Sequence, residues 1–217
     1  MAERLDPSQT TLILMENNYN LRVLLLCVAT ALTTSLAAQS PANGYADGYG
    51  YVDLGLSVKW ATCNVGAGKP EDYGDYFAWG EAETKETYTE GNSLTYNRET
   101  YDYTDAATSQ LGTAWRIPTH DEMMELLDNC KWTWITVNGI AGYMVKSRRN
   151  GNSIFLPAAG GRMASMSSYV GEWGYYWTSE TDASNPRTAG ALQFYRALQR
   201  YAVGFRFGGQ PVRPVTQ

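Results

Sequence analysis

Two Asn-Gly pairs set the tightest limit on what this chain can become. Asn138-Gly139 separates Trp132-Thr133-Trp134-Ile135-Thr136 from Tyr143-Met144-Val145-Lys146, and Asn150-Gly151 separates that second run from Ile154-Phe155-Leu156. Asn and Gly tolerate the left-handed backbone of a tight hairpin turn, so three β-forming runs joined in this way predict an antiparallel meander. Immediately upstream, Thr119-His120-Asp121-Glu122 has the form of a capping box, in which the Thr hydroxyl accepts from the Glu122 amide and the Glu carboxylate accepts from the Thr119 amide. Met123, Leu126, Leu127 and Cys130 then fall at i, i+3, i+4 and i+7, a single apolar stripe that turns Cys130 inward and leaves His120 in the exposed first turn. A short helix leading into a meander argues against a helix bundle. The abundance of Gly (21) and Tyr (16) beside 8 Pro agrees, because such a mixture favours short strands and turns.

Elsewhere the same signals are briefer. Tyr51-Val52-Asp53-Leu54-Gly55-Leu56-Ser57-Val58-Lys59-Trp60 reads as a strand pair at the edge of the fold, and Gly74-Asp75-Tyr76-Phe77-Ala78-Trp79-Gly80 as an aromatic strand bounded by glycines. Residues 84–105 are polar, Tyr-rich and without period, a long surface loop. Four further short strands are expected at 175–179, 191–194, 202–206 and 212–215. No repeat of fixed period is present, and the expected class is α+β.

The N-terminal residues read as export machinery. Residues 23–36, VLLLCVATALTTSL, form an apolar run preceded by Arg22 and followed by Ser35-Leu36-Ala37-Ala38-Gln39, the pattern of a secretory signal peptide over 1–38. The run falls short of the roughly 20 residues a membrane span requires. Starting the chain at Met15 gives a conventional short n-region, so Met15 is the expected true start. The expected location is therefore outside the cytoplasm: periplasm, outer surface or secreted. The mature chain has no predicted membrane span. Residues 39–50, QSPANGYADGYG, read as a flexible linker, with the domain running from 51 to 217. Two cysteines remain after cleavage, Cys63 and Cys130, and they read either as one disulfide or as two buried thiols.

Charge and histidine content narrow the function. A formal charge of -5 supplies no basic field for phosphates, which argues against nucleic acid. One histidine, His120, leaves no material for a His-rich metal site, and a Ser/His/Asp triad would have to rest on it alone.

Longer motifs carry a resemblance. Residues 51–67, YVDLGLSVKWATCNVGA, then Tyr73-Gly74-Asp75-Tyr76-Phe77-Ala78-Trp79-Gly80-Glu81, Trp115-Arg116-Ile117-Pro118-Thr119, residues 150–160 (NGNSIFLPAAG), Gly174-Tyr175-Tyr176-Trp177-Thr178-Ser179 and an ending with Arg206, Gly209, Val212-Arg213-Pro214-Val215 are similar, in this order, to the Fibrobacter succinogenes major paralogous domain of Bacteroidetes. The resemblance spans about residues 51–215. It implies a C-type-lectin-like fold of the formylglycine-generating-enzyme branch, with twisted strands, much loop and two short helices, the first near 105–111.

That fold hosts enzymes and binders alike, so the residues must decide. Formylglycine-generating enzymes use a late cysteine pair, and no cysteine follows Cys130; iron sulfoxide synthases use several histidines. Calcium-dependent lectins carry Glu-Pro-Asn or Gln-Pro-Asp beside Trp-Asn-Asp, whereas this chain has only Asn185-Pro186 and Gln210-Pro211. Glu71, Asp72 and Asp75 are the acidic cluster that could hold Ca2+ through oxygen ligands; their alternative role is as solvated loop carboxylates. The chain is also similar to target proteins of diversity-generating retroelements, in which a fixed frame displays a varied binding face. Here the resemblance implies a frame including Trp177, Phe194, Arg206, Gly209 and Arg213. The ligand-binding set is Asp182, Asn185, Arg187, Gln193, Tyr195, Arg196, Gln199, Arg200 and Tyr201. Tyr and Arg supply large, semi-rigid contact area and hydrogen bonds, which suits either a protein or a glycan.

Carboxylates offer one enzyme reading: Glu81, Glu83 and Glu86 after Trp79, with Glu172 beside Trp173, as an acid/base pair on a glycan. Against it, Glu81 is expected to make a structural ion pair with Arg116 or Arg213. The sequence thus points to an exported, non-catalytic domain that binds an extracellular protein or glycan through its C-terminal strands and loops, with no resident catalytic cofactor. A structural or assembly component of a cell-surface complex or appendage is the alternative, and a glycan-active hydrolase the second.

Overall fold

The computed structural model describes residues 39–217, so the expectations of a signal peptide and of a start at Met15 lie outside the described residues. Its first residues correct the sequence reading. Residues 39–50 are not a linker: β1 (Gly44–Ala46) pairs antiparallel with β2 (Tyr49–Val52) across Asp47-Gly48, both at positive φ (46° and 84°). Asp-Gly is a turn pair of the same kind as Asn-Gly, so the signal was present in the sequence. β2 continues onto β3 (Lys59–Ala61), and β3 onto β12 (Val215–Thr216), so the two ends of the described chain share one four-stranded sheet in the order β1-β2-β3-β12.

Two helices accompany the strands. α1 (Ala106–Leu111), where the family resemblance placed its first short helix, starts at Asp105, whose carboxylate accepts from the Thr108 amide. α2 (His120–Asn129) starts at Thr119 with both bonds of the capping box formed, and it buries Met123 and Leu126. The chain then enters the meander of β4 (Cys130–Val137), β5 (Ile140–Ser147) and β6 (Ser153–Pro157). Asn138-Gly139 is a two-residue hairpin, whereas Asn150-Gly151 lies inside a longer connection stitched by the Ser147 hydroxyl to the Arg149 and Asn150 amides. A further hairpin, β7 (Gly161–Met163) with β8 (Met166–Ser168), has no apolar alternation to announce it. The last sheet runs β11-β10-β9, from β9 (Trp173–Thr181), β10 (Thr188–Tyr195) and β11 (Leu198–Phe205). The molecule is therefore an α+β protein dominated by antiparallel strands.

Two apolar clusters hold these pieces. One gathers Trp60, Met123, Leu126, Val145, Ile154, Tyr176, Leu192 and Phe194 between α2, the meander and the last sheet. The other gathers Phe77, Trp79, Ala106, Ala107, Trp115 and Trp177. The expected strand at 74–80 is reduced to one bridge, Phe77 with Gln210, because Gly74 and Gly80 take positive φ (72° and 74°) and bend the chain on either side. Residues 84–105 are loop with one 3-10 turn at Glu90–Asn92, but Tyr88, Ser93 and Thr95 are buried, so it is not merely a surface loop.

The frame residues are interior. Trp177 donates to the Phe77 carbonyl (2.8 Å), and Arg206 lies over the rings of Trp79 and Tyr101. Arg213, 1% exposed, donates to the carbonyls of Ala61, Thr62 and Phe155 and to Asn64 Oδ1. Of the two readings for Cys63 and Cys130, the thiols hold: both are free, with Cys130 buried and Cys63 only partly so. Cys130 is the last member of the α2 stripe and is buried in the first cluster, and burial pushes its thiol up to about 11. Cys63 sits half-buried two residues after β3, its thiol against the Thr62 hydroxyl.

Candidate functional site

The pairing of the last sheet sorts its side chains. Gln193 stands opposite Tyr175 on β9 and Arg200 on β11, and Tyr195 opposite Trp173 and Leu198, so these residues share one face. Leu192, Phe194, Tyr176, Gln199 and Tyr201 belong to the other, which packs toward α2. The residues expected to form one binding face are thus divided. Gln193, Tyr195 and Arg200 stay together: Arg200 donates twice to Gln193 Oε1 (2.9 and 2.7 Å), and Tyr195 packs on Trp173 at 4.5 Å between ring centroids. Gln199 and Tyr201 face away from them; Tyr201 meets the His120 ring at 4.5 Å and the Thr178 hydroxyl at 3.2 Å. His120 is thereby drawn into packing instead of standing free in the first turn.

Asp182, Asn185 and Arg187 form a third group, in the β9–β10 connection, and they are committed to one another. Asp182 accepts from the Ser184 hydroxyl and amide and from the Thr188 hydroxyl, bonds that hold its carboxyl below the usual range. Asn185 Oδ1 accepts from the Arg187 amide, and Arg187 reaches Asn97. Arg196 is exposed in the two-residue β10–β11 turn.

The feature that sequence reasoning missed lies on the Gln193 side. A groove of about 370 Å³ separates the β7–β8 hairpin from the last sheet. Small residues line it, Ala191, Ala202 and Gly204 on the sheet and Gly208 and Gly209 just beyond β11, while Met163, Tyr169 and Tyr175 stand along it. The smallness of Gly204 is required: a Cβ there would come within 2.4 Å of Gln210 Nε2 and 3.1 Å of the Trp177 ring. Along the groove, Met163 and Tyr169 are 47% and 58% exposed, while Val203 and Phe205, 54% and 49% exposed, border it at the β11 edge with side chains that alternate onto the Tyr201 face. Two buried polar atoms at this groove, Arg162 Nε and Gln210 Oε1, have no hydrogen-bond partner. The available signal was Met163, Met166, Tyr169 and Val170 stranded in a Ser- and Gly-rich stretch with no periodicity to bury them. A second hollow, about 460 Å³, lies beyond Val203, lined by His120, Asp121, Glu180, Asp182 and Tyr201.

The carboxylate expectations change. Glu81 pairs with Lys85, not with Arg116 or Arg213, and accepts from the Ser93 hydroxyl and the Leu94 amide. Arg116 instead forms a two-bond pair with Glu122. Glu81 is buried in these contacts, while Glu83, Glu86 and Glu172 are exposed. Glu71 accepts from Asn138, which holds its carboxyl below the usual range, and Asp72 accepts from the Lys69 amide. Among the described residues no group of three or more His, Cys, Asp or Glu is gathered in a way that could hold a metal ion, so Glu71, Asp72 and Asp75 are not brought together as a Ca2+ site. No helix of the described residues is long and apolar enough to cross a membrane.

Neither a family model, nor a curated protein, nor a solved structure matches this chain.

Proposed function

We propose that the chain is an exported, non-catalytic binding domain of C-type-lectin-like fold, related to the Fibrobacter succinogenes major paralogous domain, that recognises an extracellular protein or glycan. The observation that carries the reading is the groove beside the last sheet. A chain that buries Trp60, Trp79, Trp115 and Trp177 almost completely leaves Met163 and Tyr169 in water along the groove, and Val203 and Phe205 in water on the β11 edge that borders it. Apolar surface concentrated at a concave site is what a partner would cover, and the adjoining Trp173, Tyr175 and Tyr195 rings suit peptide or pyranose alike. Glu81, one of the carboxylates weighed for hydrolysis, is committed to Lys85, Ser93 and Leu94, which favours the binding reading over the hydrolase alternative.

The test is a glycan array together with a panel of host and bacterial surface proteins, with and without Ca2+, read on the purified chain and on the double variant Tyr169→Ser, Phe205→Ser. The expected result is a discrete ligand whose affinity falls about tenfold or more in the variant at unchanged thermal stability. A silent panel, or a ligand indifferent to both substitutions, overturns the reading. Self-association or a co-purifying subunit in place of a panel ligand would move the assignment to an assembly component.

A further inference from the structure

The two outer edges of the last sheet are not alike. Along β9 the outer edge is occupied: the amides of Trp177 and Ser179 donate to Pro211 and Pro118, and Gly174 bridges Gly160. Along β11 it is open. The two-residue turn makes Tyr195 and Leu198 a hydrogen-bonded pair, and strict alternation up the ladder then aims the N–H and C=O of Gln199, Tyr201 and Val203 away from β10. The bond from the Arg206 amide to Arg187, which continues the ladder beyond Gly204 and Ala189, has the parity this alternation requires. None of those outward groups has a partner elsewhere in the described residues.

This open stretch runs between the two hollows already described, and Val203 lines both. On one side is the apolar groove; on the other are the carboxylates of Asp121, Glu180 and Asp182 beside His120. A strand laid along β11 would send alternate side chains to the two sides, since its own period is two.

We infer that the ligand is an extended polypeptide that adds as a strand to the β11 edge, with apolar residues alternating with lysine or arginine. This deepens the proposed binding reading and rests on it. Backbone bonds to Gln199, Tyr201 and Val203 hold the peptide. The apolar side chains enter the groove walled by Met163 and Tyr169, and the cationic ones face Asp121 and Glu180, which sets the register.

The probe is a blocked synthetic decapeptide of alternating valine and lysine, with a valine–glutamate decapeptide as its charge-reversed control, and the readouts are binding anisotropy and amide hydrogen exchange on the purified chain. Val203→Pro removes an outward donor without taking a bond from the β10 ladder, a position where an edge strand accepts proline; Val203→Thr keeps the donor. The expected results are protection of the Gln199, Tyr201 and Val203 amides on binding, about tenfold weaker binding by Val203→Pro but not by Val203→Thr, and about tenfold weaker binding of the glutamate peptide. Asp121→Asn, at a fully exposed side chain, weakens lysine-peptide binding without touching the strand and covers the case in which Val203→Pro fails to fold. No binding of the lysine peptide, binding without protection at those amides, or binding indifferent to Val203→Pro overturns the inference. A free chain already dimeric and already protected there gives the edge to a second copy and overturns it too. None of these removes the binding reading, which falls only if the panel is silent or its ligand ignores Tyr169 and Phe205.

Discussion

Each of the two three-stranded antiparallel sheets has one covered and one open outer strand, β6 and β4 in the first, β9 and β11 in the second, and the contrast between covered β6 and open β11 is the instructive one. In β4-β5-β6, the outer strand β6 is buried along its whole length and its edge is closed. The Ser153 amide donates to Ser40 Oγ, the Phe155 amide to Gln39 Oε1, the Phe155 carbonyl accepts from Arg213, and the Pro157 carbonyl from the Tyr176 hydroxyl. In β9-β10-β11 the corresponding edge, β11, presents Gln199, Tyr201 and Val203 with no such cover, beside exposed Val203 and Phe205. Exposed edges invite pairing and are normally blunted. β6 is sealed by side chains from distant parts of the chain while β11 is left bare; β4 is bare as well, and what sets β11 apart is the pair of hollows that flank it.

Removing the seal gives the largest expected effect. Arg213→Ala strips bonds from three carbonyls and Asn64 at once and leaves buried acceptors unpaired, so unfolding free energy measured in urea falls by about 3 to 4 kcal/mol. A loss below about 1 kcal/mol would show that water takes over these bonds and that the closed edge is not closed by Arg213.

Helix α2 touches both sheets through Met123 and Leu126, so its cap should weaken both equally. Thr119→Ala is expected to cost about 1 kcal/mol, with hydrogen exchange accelerated in β5 and β10 alike. The same cap carries a pH signature. Burial pushes the Glu122 carboxyl up, but its bonds from Arg116 and from the Thr119 amide and hydroxyl outweigh burial, and the net shift is downward. A carboxyl with a lowered folded-state pKa contributes stability that is fully present above its unfolded value of about 4.3 and disappears as pH falls through the folded value. Glu122→Gln should therefore flatten the acid limb of a stability-versus-pH curve; an unchanged limb would assign acid loss to other carboxylates.

The smallest effect belongs to the open region. Phe205→Ser removes an exposed ring and should change stability by less than about 0.5 kcal/mol, within the usual range for surface sites. A larger loss in a thermal melt would mean that the ring supports the fold through its stack on Phe207, and the contrast between the two sheets would weaken.

Local chemistry was legible where a residue acts on its near neighbours. The Thr119 capping box, the α2 stripe ending in Cys130 and the Asn138-Gly139 hairpin all appear as read, because caps, helical spacing and turn conformations are set within a few residues. The Asp47-Gly48 hairpin obeys the same rule, although the composition around it is that of a linker. Partners far apart in the chain were not legible. Whether Cys63 and Cys130 meet was open in the sequence, and Glu81, for which a distant arginine was expected, pairs four residues away with Lys85; the ligand set expected on one face is split by the period of the strands, with Gln193, Tyr195 and Arg200 on one side and Gln199 and Tyr201 on the other.

From the sequence alone came the α+β class, the helix that starts at Thr119 and the order of most strands, since each depends on patterns that short-range sterics and burial read directly. Only the tertiary structure decided which strand edge is sealed and which is open, and that a groove forms beside the open one. Those outcomes depend on residues 39–40 and Arg213 arriving at β6 from opposite ends of the chain, and on nothing arriving at β11, a matter of long-range packing that no local pattern encodes.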